Sequence, residues 1–305
     1  MSDTHTPPTF EQEDVHSWKT FLDTNGFVVL RNVLNPETKQ KYFDEFKSEW
    51  CQMSKGFSWE DQSTWTSKNL PIMLSKGMAV FSGWGHSNFM WSLRTEPRIY
   101  GIFEKLYETT ELVCSFDGFS TFFDSKIQKS PSWLHVDQNP KTELNSYQGA
   151  YNFLKVEEND AGFIVVPESH KTYVPRVSHK RDWIVVDQET YVPQAKKLLI
   201  PENCFVIWNS KLIHANQGMK KGTKGFNRLT AYVTFLPKEL RSEEIRIKRE
   251  EAYKKAETTS HWANKCEIKK YPYGFGPNYE KKGFIRIKSL LEEEEKIPES
   301  RSKFI

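Results

Sequence analysis

The sequence predicts a mainly β protein with flanking helices, in which the strands form an antiparallel sandwich or jelly roll. Two observations carry this prediction. Between residues 112 and 236, short runs of β-branched and aromatic residues alternate with turn residues, and no helical pattern separates them. On both sides of this region, apolar residues recur at helical spacing instead. We therefore predict a single domain with an N-terminal layer over 10–110, a jelly-roll core over 111–237 and a charged helical extension over 238–305.

The composition is that of a folded protein with a sizeable core. The 305 residues include 43 Lys and Arg against 40 Asp and Glu, and this near balance gives no electrostatic argument for nucleic-acid binding. No apolar run approaches the roughly 20 residues that cross a bilayer. The four cysteines are scattered singly, which is typical of reduced thiols inside the cell. We therefore expect a cytoplasmic protein that does not enter membranes.

The N-terminal layer has recognisable helix boundaries. One face of the first predicted helix carries Val15, Trp18, Phe21 and Leu22. Gly26 is expected to end this helix, since glycine tolerates the left-handed conformation of a C-cap. A strand is predicted over 27–34, and Asn35 then caps a second helix that has Pro36 in its first turn. The tryptophan-rich stretch 54–95 either covers a substrate or packs around the core, and packing is the more common role of such residues.

Two metal-ligand types, His135 and Asp137, lie two positions apart in a predicted strand. Because side chains alternate across a strand, these two residues point to the same face, and their side chains can reach one point. Alone, this pair is a weak signal, since a histidine beside an aspartate is more often a hydrogen-bonded structural pair.

A third ligand candidate, His214, lies in a later predicted strand, 77 residues after Asp137 (214 − 137). If the two strands are neighbours, two imidazoles and one carboxylate would occupy one face of a metal ion. Such a facial triad leaves three positions open and is typical of non-haem Fe(II) oxygenases, whereas zinc prefers a closed tetrahedron. His170 is the competing ligand, but its PESHK segment favours a turn.

Arg228 opens the last strong strand, 14 residues after His214 (228 − 214). An inward guanidinium could bind a carboxylate through two hydrogen bonds, which a lysine cannot reproduce. Most arginines instead form surface ion pairs, so the case for Arg228 rests on its position relative to His214.

Four segments, taken in order, resemble the phytanoyl-CoA dioxygenase family of Fe(II)/2-oxoglutarate-dependent oxygenases over most of residues 17–236. FLDTNGFVVLRNVLNPETKQKYFDEF resembles the family's opening helix–strand–helix, and HVD with the later IHANQG resembles its metal triad. DAGFIVVPESHK resembles its Gly-apolar-Pro-x-Ser-His-Lys loop, and NRLTAYVTF resembles the strand with the 2-oxoglutarate arginine. One departure is Glu168, where the family commonly has glycine.

The resemblance implies a double-stranded β-helix (jelly roll, cupin-like) with Fe(II) at one mouth. The metal ligands that it implies are His135, Asp137 and His214. It also implies that 2-oxoglutarate chelates the iron and places its far carboxylate on Arg228. Tyr151 and Asn216 are further candidates for binding this cosubstrate, although a core tyrosine and a turn asparagine remain equally good alternatives. With O2 as second cosubstrate, the expected reaction releases succinate and CO2, and the retained Asp137 favours hydroxylation of a C–H bond over halogenation.

The sequence does not identify the substrate or the oligomeric state. Desaturation and ring chemistry remain alternatives to hydroxylation, because they would use the same ligands. Trp133, Gln138 and Trp84 are candidate substrate contacts, and an aromatic wall would favour an apolar or planar small molecule. Two alternatives remain. One is an oxygenase of a protein or nucleic acid, which the scattered lysines support only weakly; the other is a non-catalytic jelly-roll binding protein with a vestigial site. The Lys-Phe-Ile end is not a Ser-Lys-Leu peroxisomal signal, so a coenzyme A thioester is not the expected substrate.

Overall fold

The computed structural model describes residues 3–74, 76–124, 133–175, 181–269, 287 and 297–305. The sequence also predicts a turn region over 271–279, which is rich in tyrosine, proline and glycine, and it has an acidic run at 292–295; both lie outside the described residues. Within the described part of the chain, no helix combines the length and the apolar character that crossing a lipid bilayer requires.

Strands dominate the middle of the chain, and helices dominate the flanks. The strands are β1 Asp3–His5, β2 Thr9–Phe10, β3 Phe27–Leu30, β4 Met78–Ala79, β5 Leu112–Cys114, β6 Phe119–Asp124, β7 His135–Val136, β8 Tyr147–Asn152, β9 Gly162–Val165, β10 Ile184–Val185, β11 Lys196–Leu198, β12 Cys204–Asn209, β13 His214–Gln217, β14 Lys224–Tyr232 and β15 Phe235–Pro237. The α-helices are α1 Val15–Asn25, α2 Pro36–Met53, α3 Asn88–Thr95, α4 Pro97–Tyr107, α5 Ser169–Thr172, α6 Gln188–Tyr191, α7 Glu243–Lys254 and α8 Glu299–Ser302.

The chain forms two compact units that alternate along the sequence. The first unit comprises Met1–Val33 and Phe122–Thr230, and the second comprises Leu34–Thr121 and Ala231–Ile305. One border lies between Val33 and Leu34, and the other two fall inside β6 and β14, so the units cut across the predicted segments. The single oxygenase domain stays a prediction.

The first unit contains the predicted jelly roll. One of its sheets has the strand order β1-β11-β9-β13-β7-β10, and the other contains β2-β3-β12-β8-β14 in that order. Two strand pairs, β1–β11 and β2–β3, are parallel. The pairs β10–β7, β11–β9, β12–β3, β12–β8, β13–β7 and β13–β9 are antiparallel. The inner faces of the two sheets meet where the ring of Phe163 on β9 lies 4.9 Å from that of Trp208 on β12. The fold class predicted from the sequence is therefore confirmed.

The two faces of the first sheet have different chemistry. One face belongs to an apolar cluster that contains Leu134, Val136, Ile164, Ile184, Ile213 and Ala215. Because side chains alternate along a strand, the intervening residues His135 and His214 point to the opposite face. That face looks toward the second sheet, since Trp208 of β12 lies 5.5 Å from His214, centroid to centroid. The apolar packing of one face thus fixes the histidines on the inner face of the jelly roll.

The end of α1 is built as the sequence predicts. Gly26 has φ 81°, and its N–H donates to the carbonyl of Leu22, 2.7 Å away. A Cβ atom at Gly26 would also lie 2.5 Å from Nδ1 of His170. Nε2 of His170 in turn contacts the carbonyl oxygen of Asp23 at 3.0 Å. His170 therefore packs against the end of α1, which agrees with the turn role predicted for it.

Glu168 occupies the glycine position of the family loop and adopts a glycine-like conformation. Its φ is 64° and its side chain is exposed. A left-handed conformation costs a residue with a Cβ more than it costs glycine, so Glu168→Gly should raise the free energy of unfolding by roughly 0.5–1 kcal/mol. Urea unfolding measures this change. The exposed Glu158, whose φ is not positive, supplies the control: Glu158→Gly should give no gain, and a loss of stability in Glu168→Gly would contradict the account.

The second unit has an aromatic core. Trp84 stacks on Trp50 with ring centroids 5.7 Å apart and meets Phe119 edge-on at 5.0 Å, and both tryptophans are fully buried. Of the two alternatives for the tryptophan-rich stretch, this arrangement supports packing. α2 begins as predicted, with the side chain of Asn35 accepting from its first turn and Pro36 in that turn.

Candidate metal centre

The structure brings together the three residues that the sequence predicts as metal ligands. His135 on β7 lies directly opposite His214 on β13 in the strand register. Asp137 follows two residues after His135, and its carboxylate oxygens lie 3.5 Å from Nε2 of His135 and 3.2 Å from Nε2 of His214. One ligand atom from each residue lies within 4.8 Å of the other two. Among the described residues, His170 belongs to no such group.

Backbone contacts orient both imidazoles. Nδ1 of His135 lies 2.9 Å from the carbonyl oxygen of Trp133, and Nδ1 of His214 lies 2.8 Å from that of Leu212. Because a carbonyl can only accept, each Nδ1 donates a proton there, and Nε2 is the ring nitrogen that faces Asp137. Burial lowers the pKa of His135 below its usual value, although the negative charge of Asp137 acts in the opposite direction. The neutral imidazole is the form that binds a metal.

A buried amide holds the carboxylate of Asp137. Nε2 of Gln148 on β8 donates to Oδ2 of Asp137 at 2.9 Å and approaches Oγ of Ser210 at 3.3 Å. The carbonyl of Ser210 also accepts from the backbone N–H of Asp137 at 2.9 Å. Gln148 of the second sheet thus holds the carboxylate of Asp137, and Ser210, just after β12, holds its backbone.

We expect Gln148→Ala to weaken Fe(II) affinity about 10–100-fold, the effect typical of losing a residue that orients a metal ligand. Anaerobic Fe(II) titration measures the affinity, and thermal unfolding of the metal-free protein shows whether the fold is kept. The exposed Gln194 of the same unit is a matched control, and Gln194→Ala should bind iron normally. Unchanged affinity in Gln148→Ala would show that this hydrogen bond does not hold the ligand.

Arg228 and Asn216 are joined beside the triad. Asn216 lies two residues after His214 on the same strand, and its Oδ1 accepts from Nη2 of Arg228 at 2.9 Å. Nε of Arg228 donates to Oγ of Thr230 at 3.1 Å, and Thr230 donates to Oδ1 of Asn152 at 3.1 Å. Arg228 is 2% exposed. It is therefore an inward-facing guanidinium held in one orientation, and not the surface ion pair that describes most arginines.

Two predicted site residues lie elsewhere. Tyr151 alternates with Gln148 and Asn152 along β8 and so faces away from them, and its hydroxyl donates to Oδ1 of Asn203 at 2.6 Å. The core-tyrosine alternative therefore describes it better than the cosubstrate role. Gln138 is fully buried, and its amide bonds the carbonyl of Leu144 and the N–H of Ser146. Both ends of this side chain hold the following loop, which leaves a substrate role without support.

The two candidate tryptophans differ. Trp133 is half-buried and stacks on the ring of His135, with centroids 4.5 Å apart and planes at 19°. Its Nε1 donates to the carbonyl of Asn216 at 2.9 Å. Trp84 belongs to the aromatic core of the second unit and is 0% exposed, so a substrate contact finds no support there.

Sequence reasoning missed Gln148 and the exposed Trp183, whose ring lies 5.9 Å from that of His135. The available signal for Gln148 was that it is a polar residue in a predicted core strand. The face of the sheet on which its side chain lies depends on the pairing of Gln148 with Trp208 on β12, which only the fold supplies.

Known proteins resemble this chain in sequence and in fold. No protein-family model matches the chain. It is 36% identical over 165 residues to "Ava biosynthesis cluster protein O" of Aspergillus versicolor, and this match covers 53% of each protein. The chain thus spans about half the length of this relative. It is also 23% identical over 265 residues to "Putative phytanoyl-CoA dioxygenase" of Dictyostelium discoideum, covering 71% of this chain and 74% of that protein.

Solved structures share the fold at low identity. The carbocyclase SnoK, alpha ketoglutarate dependent and from nogalamycin biosynthesis, superposes with a TM-score of 0.51 at 12% identity, covering 75% of this chain and 87% of SnoK. The epimerase SnoN, in complex with Fe3+, alpha ketoglutarate and nogalamycin RO, superposes with a TM-score of 0.50 at 14% identity, covering 74% and 84%. These likenesses confirm the double-stranded β-helix, and with the second sequence relative they confirm the resemblance that the motifs indicate.

Proposed function

We propose that this chain, a relative of the phytanoyl-CoA dioxygenase-like oxygenases, uses Fe(II), 2-oxoglutarate and O2 to hydroxylate a C–H bond of a small organic molecule. In this reaction 2-oxoglutarate loses CO2 and takes one oxygen atom to become succinate, and the substrate takes the other. The single observation that carries the proposal is the convergence of His135, Asp137 and His214 on the inner face of the jelly roll.

The donor set fits Fe(II). Two imidazoles and one carboxylate would form a facial triad, which would leave positions open for a cosubstrate and O2. Bound iron and 2-oxoglutarate would supply the oxidising power, and the chain supplies orientation. Hydrogen bonds between Nδ1 and backbone carbonyls orient both imidazoles, and a hydrogen bond from Gln148 orients the carboxylate. These contacts would hold the three ligands in place for the metal.

For the cosubstrate we assign Arg228. A dicarboxylic acid bound to the metal through one end needs a cation for the other end, and a fixed guanidinium matches a carboxylate. Asn216 joins Arg228 to the strand of His214 through a hydrogen bond. We assign it the role of positioning the arginine, and direct binding of the cosubstrate is its second candidate role.

For the substrate we propose a secondary-metabolite-like small molecule. Its support is indirect: one relative is named for a biosynthesis cluster, and SnoN was captured with nogalamycin RO. Macromolecular substrates gain no specific support from the described residues. We also propose a cytoplasmic location, which the four singly scattered cysteines support.

Turnover of 2-oxoglutarate to succinate in the presence of Fe(II), ascorbate and O2 tests the proposal. We expect succinate formation that requires added iron and is lost when a chelator removes it. A protein that binds neither iron nor 2-oxoglutarate, and forms no succinate above the rate of buffer with iron alone, would instead be the vestigial binding protein.

A further inference from the structure

The edge of the first sheet, which carries His135 and His214, exposes large apolar side chains. β10 is the last strand of this sheet, and its pairing with β7 places Val185 opposite His135. Val185 is 49% exposed, and Trp183, just before the strand, is 52% exposed. A pair of neighbouring exposed apolar residues is more informative than a single one, because contiguous apolar patches mark binding surfaces.

These two side chains lie on the same face as the triad. Ile184, between them, packs into the apolar cluster with Leu134 and Val136 on the opposite face. By strand alternation Trp183 and Val185 point toward the inner face. The ring contact of Trp183 with His135, at 5.9 Å between centroids, agrees with this direction.

Two indoles therefore flank one metal ligand. Trp133 stacks on His135 and is fixed by its bond to Asn216, whereas Trp183 approaches the same imidazole while half of its surface remains exposed. Trp133 thus has a structural role beside His135, whereas Trp183 offers an apolar face to a molecule entering the site.

We infer that Trp183, together with Val185, is the substrate platform of the site, and that the substrate presents a planar, apolar ring system. This inference rests on the proposed function and adds a substrate class to it. Its occupant is a small molecule, because the exposed faces are continuous with the triad. A peptide adding to β10 would use the strand's backbone edge, which is only two residues long.

Binding of a matched pair of probes to the protein loaded with Fe(II) and 2-oxoglutarate, without O2, tests the inference. Naphthalene-2-sulfonate is planar and aromatic, and decahydronaphthalene-2-sulfonate has the same carbon skeleton and anionic group on non-planar rings. In equilibrium dialysis, the wild-type protein should bind the first probe roughly three- to tenfold more tightly than the second, since an aromatic pair gains from stacking as well as from buried area.

Trp183→Ala should remove this preference, and Trp183→Phe should keep binding of the planar probe within about threefold of wild type, because a ring remains. Ile247, 51% exposed on α7, supplies a control, and Ile247→Ala should bind both probes normally. Equal binding of the two probes by wild type, no binding of the planar probe, or unchanged preference in Trp183→Ala would overturn the platform.

The proposed function has a separate readout. Wild-type and Trp183→Ala proteins should bind Fe(II) equally, because Trp183 is not a ligand. If the wild-type protein forms succinate but Trp183→Ala leaves probe binding unchanged, only the platform is wrong. If the wild-type protein forms no succinate with bound iron and 2-oxoglutarate, the oxygenase function is wrong, whatever the probes do.

Discussion

His135→Ala and His214→Ala should each abolish stoichiometric Fe(II) binding and, with it, the conversion of 2-oxoglutarate to succinate. The two imidazoles lie opposite each other on neighbouring strands, and each contributes one Nε2 atom to the group. Neighbours that only orient a ligand already affect affinity by about 10–100-fold, so the loss of a ligand should exceed a hundredfold. Anaerobic Fe(II) titration and succinate quantification measure the two effects on the same protein preparations.

His170→Ala provides the matched control. His170 was the competing ligand in the sequence, but in the structure it packs at the end of α1. Its variant should bind one iron and form succinate, with a lowered unfolding temperature as its only defect. If His170→Ala loses iron while His135→Ala keeps it, the ligand set is wrong.

Arg228→Ala should raise the 2-oxoglutarate concentration needed for half-maximal turnover by at least about thirtyfold, with iron binding retained. Truncating one partner of a buried, hydrogen-bonded charge pair costs about 2–5 kcal/mol, and each 1.4 kcal/mol is about a factor of ten. Initial succinate rates against 2-oxoglutarate concentration give this constant, and Fe(II) titration gives the metal affinity.

Two further variants separate charge from geometry. Arg228→Lys keeps the positive charge but not the planar fork, so its defect should be intermediate. The exposed Lys224 lies on the same strand, and Lys224→Ala should behave as wild type. Wild-type kinetics in Arg228→Ala at low 2-oxoglutarate would show that the cosubstrate's far carboxylate is bound elsewhere.

The sequence predicted features that depend on local chemistry. The end of α1 at Gly26 and the start of α2 at Asn35 follow from backbone conformation and capping, which neighbouring residues decide. Strand alternation predicts the common face of His135 and Asp137, and the structure keeps it although β7 ends at Val136, because Gln148 and Ser210 hold Asp137. The pairing of His135 with His214 was a hypothesis conditional on adjacent strands, and the motif order supported it.

What the sequence could not supply is strand phase. Residues 147–156 form a continuous β-type run, and either alternating set of side chains could face the interior. The register of β8 against β12 decides this by pairing Gln148 with Trp208, and it places the buried Tyr151 on the opposite face of the sheet. Trp183 was missed for a related reason, because its place beside His135 depends on the pairing of β10 with β7.

The central claim is that one iron ion binds at the triad. Crystals grown anaerobically with Fe(II) and 2-oxoglutarate, with diffraction recorded at the iron absorption edge, test it most directly. We predict one strong anomalous peak in each protein copy, within bonding distance of Nε2 of His135, Nε2 of His214 and the carboxylate of Asp137. A peak at other residues, or none at the triad in crystals that contain stoichiometric iron, would contradict the account.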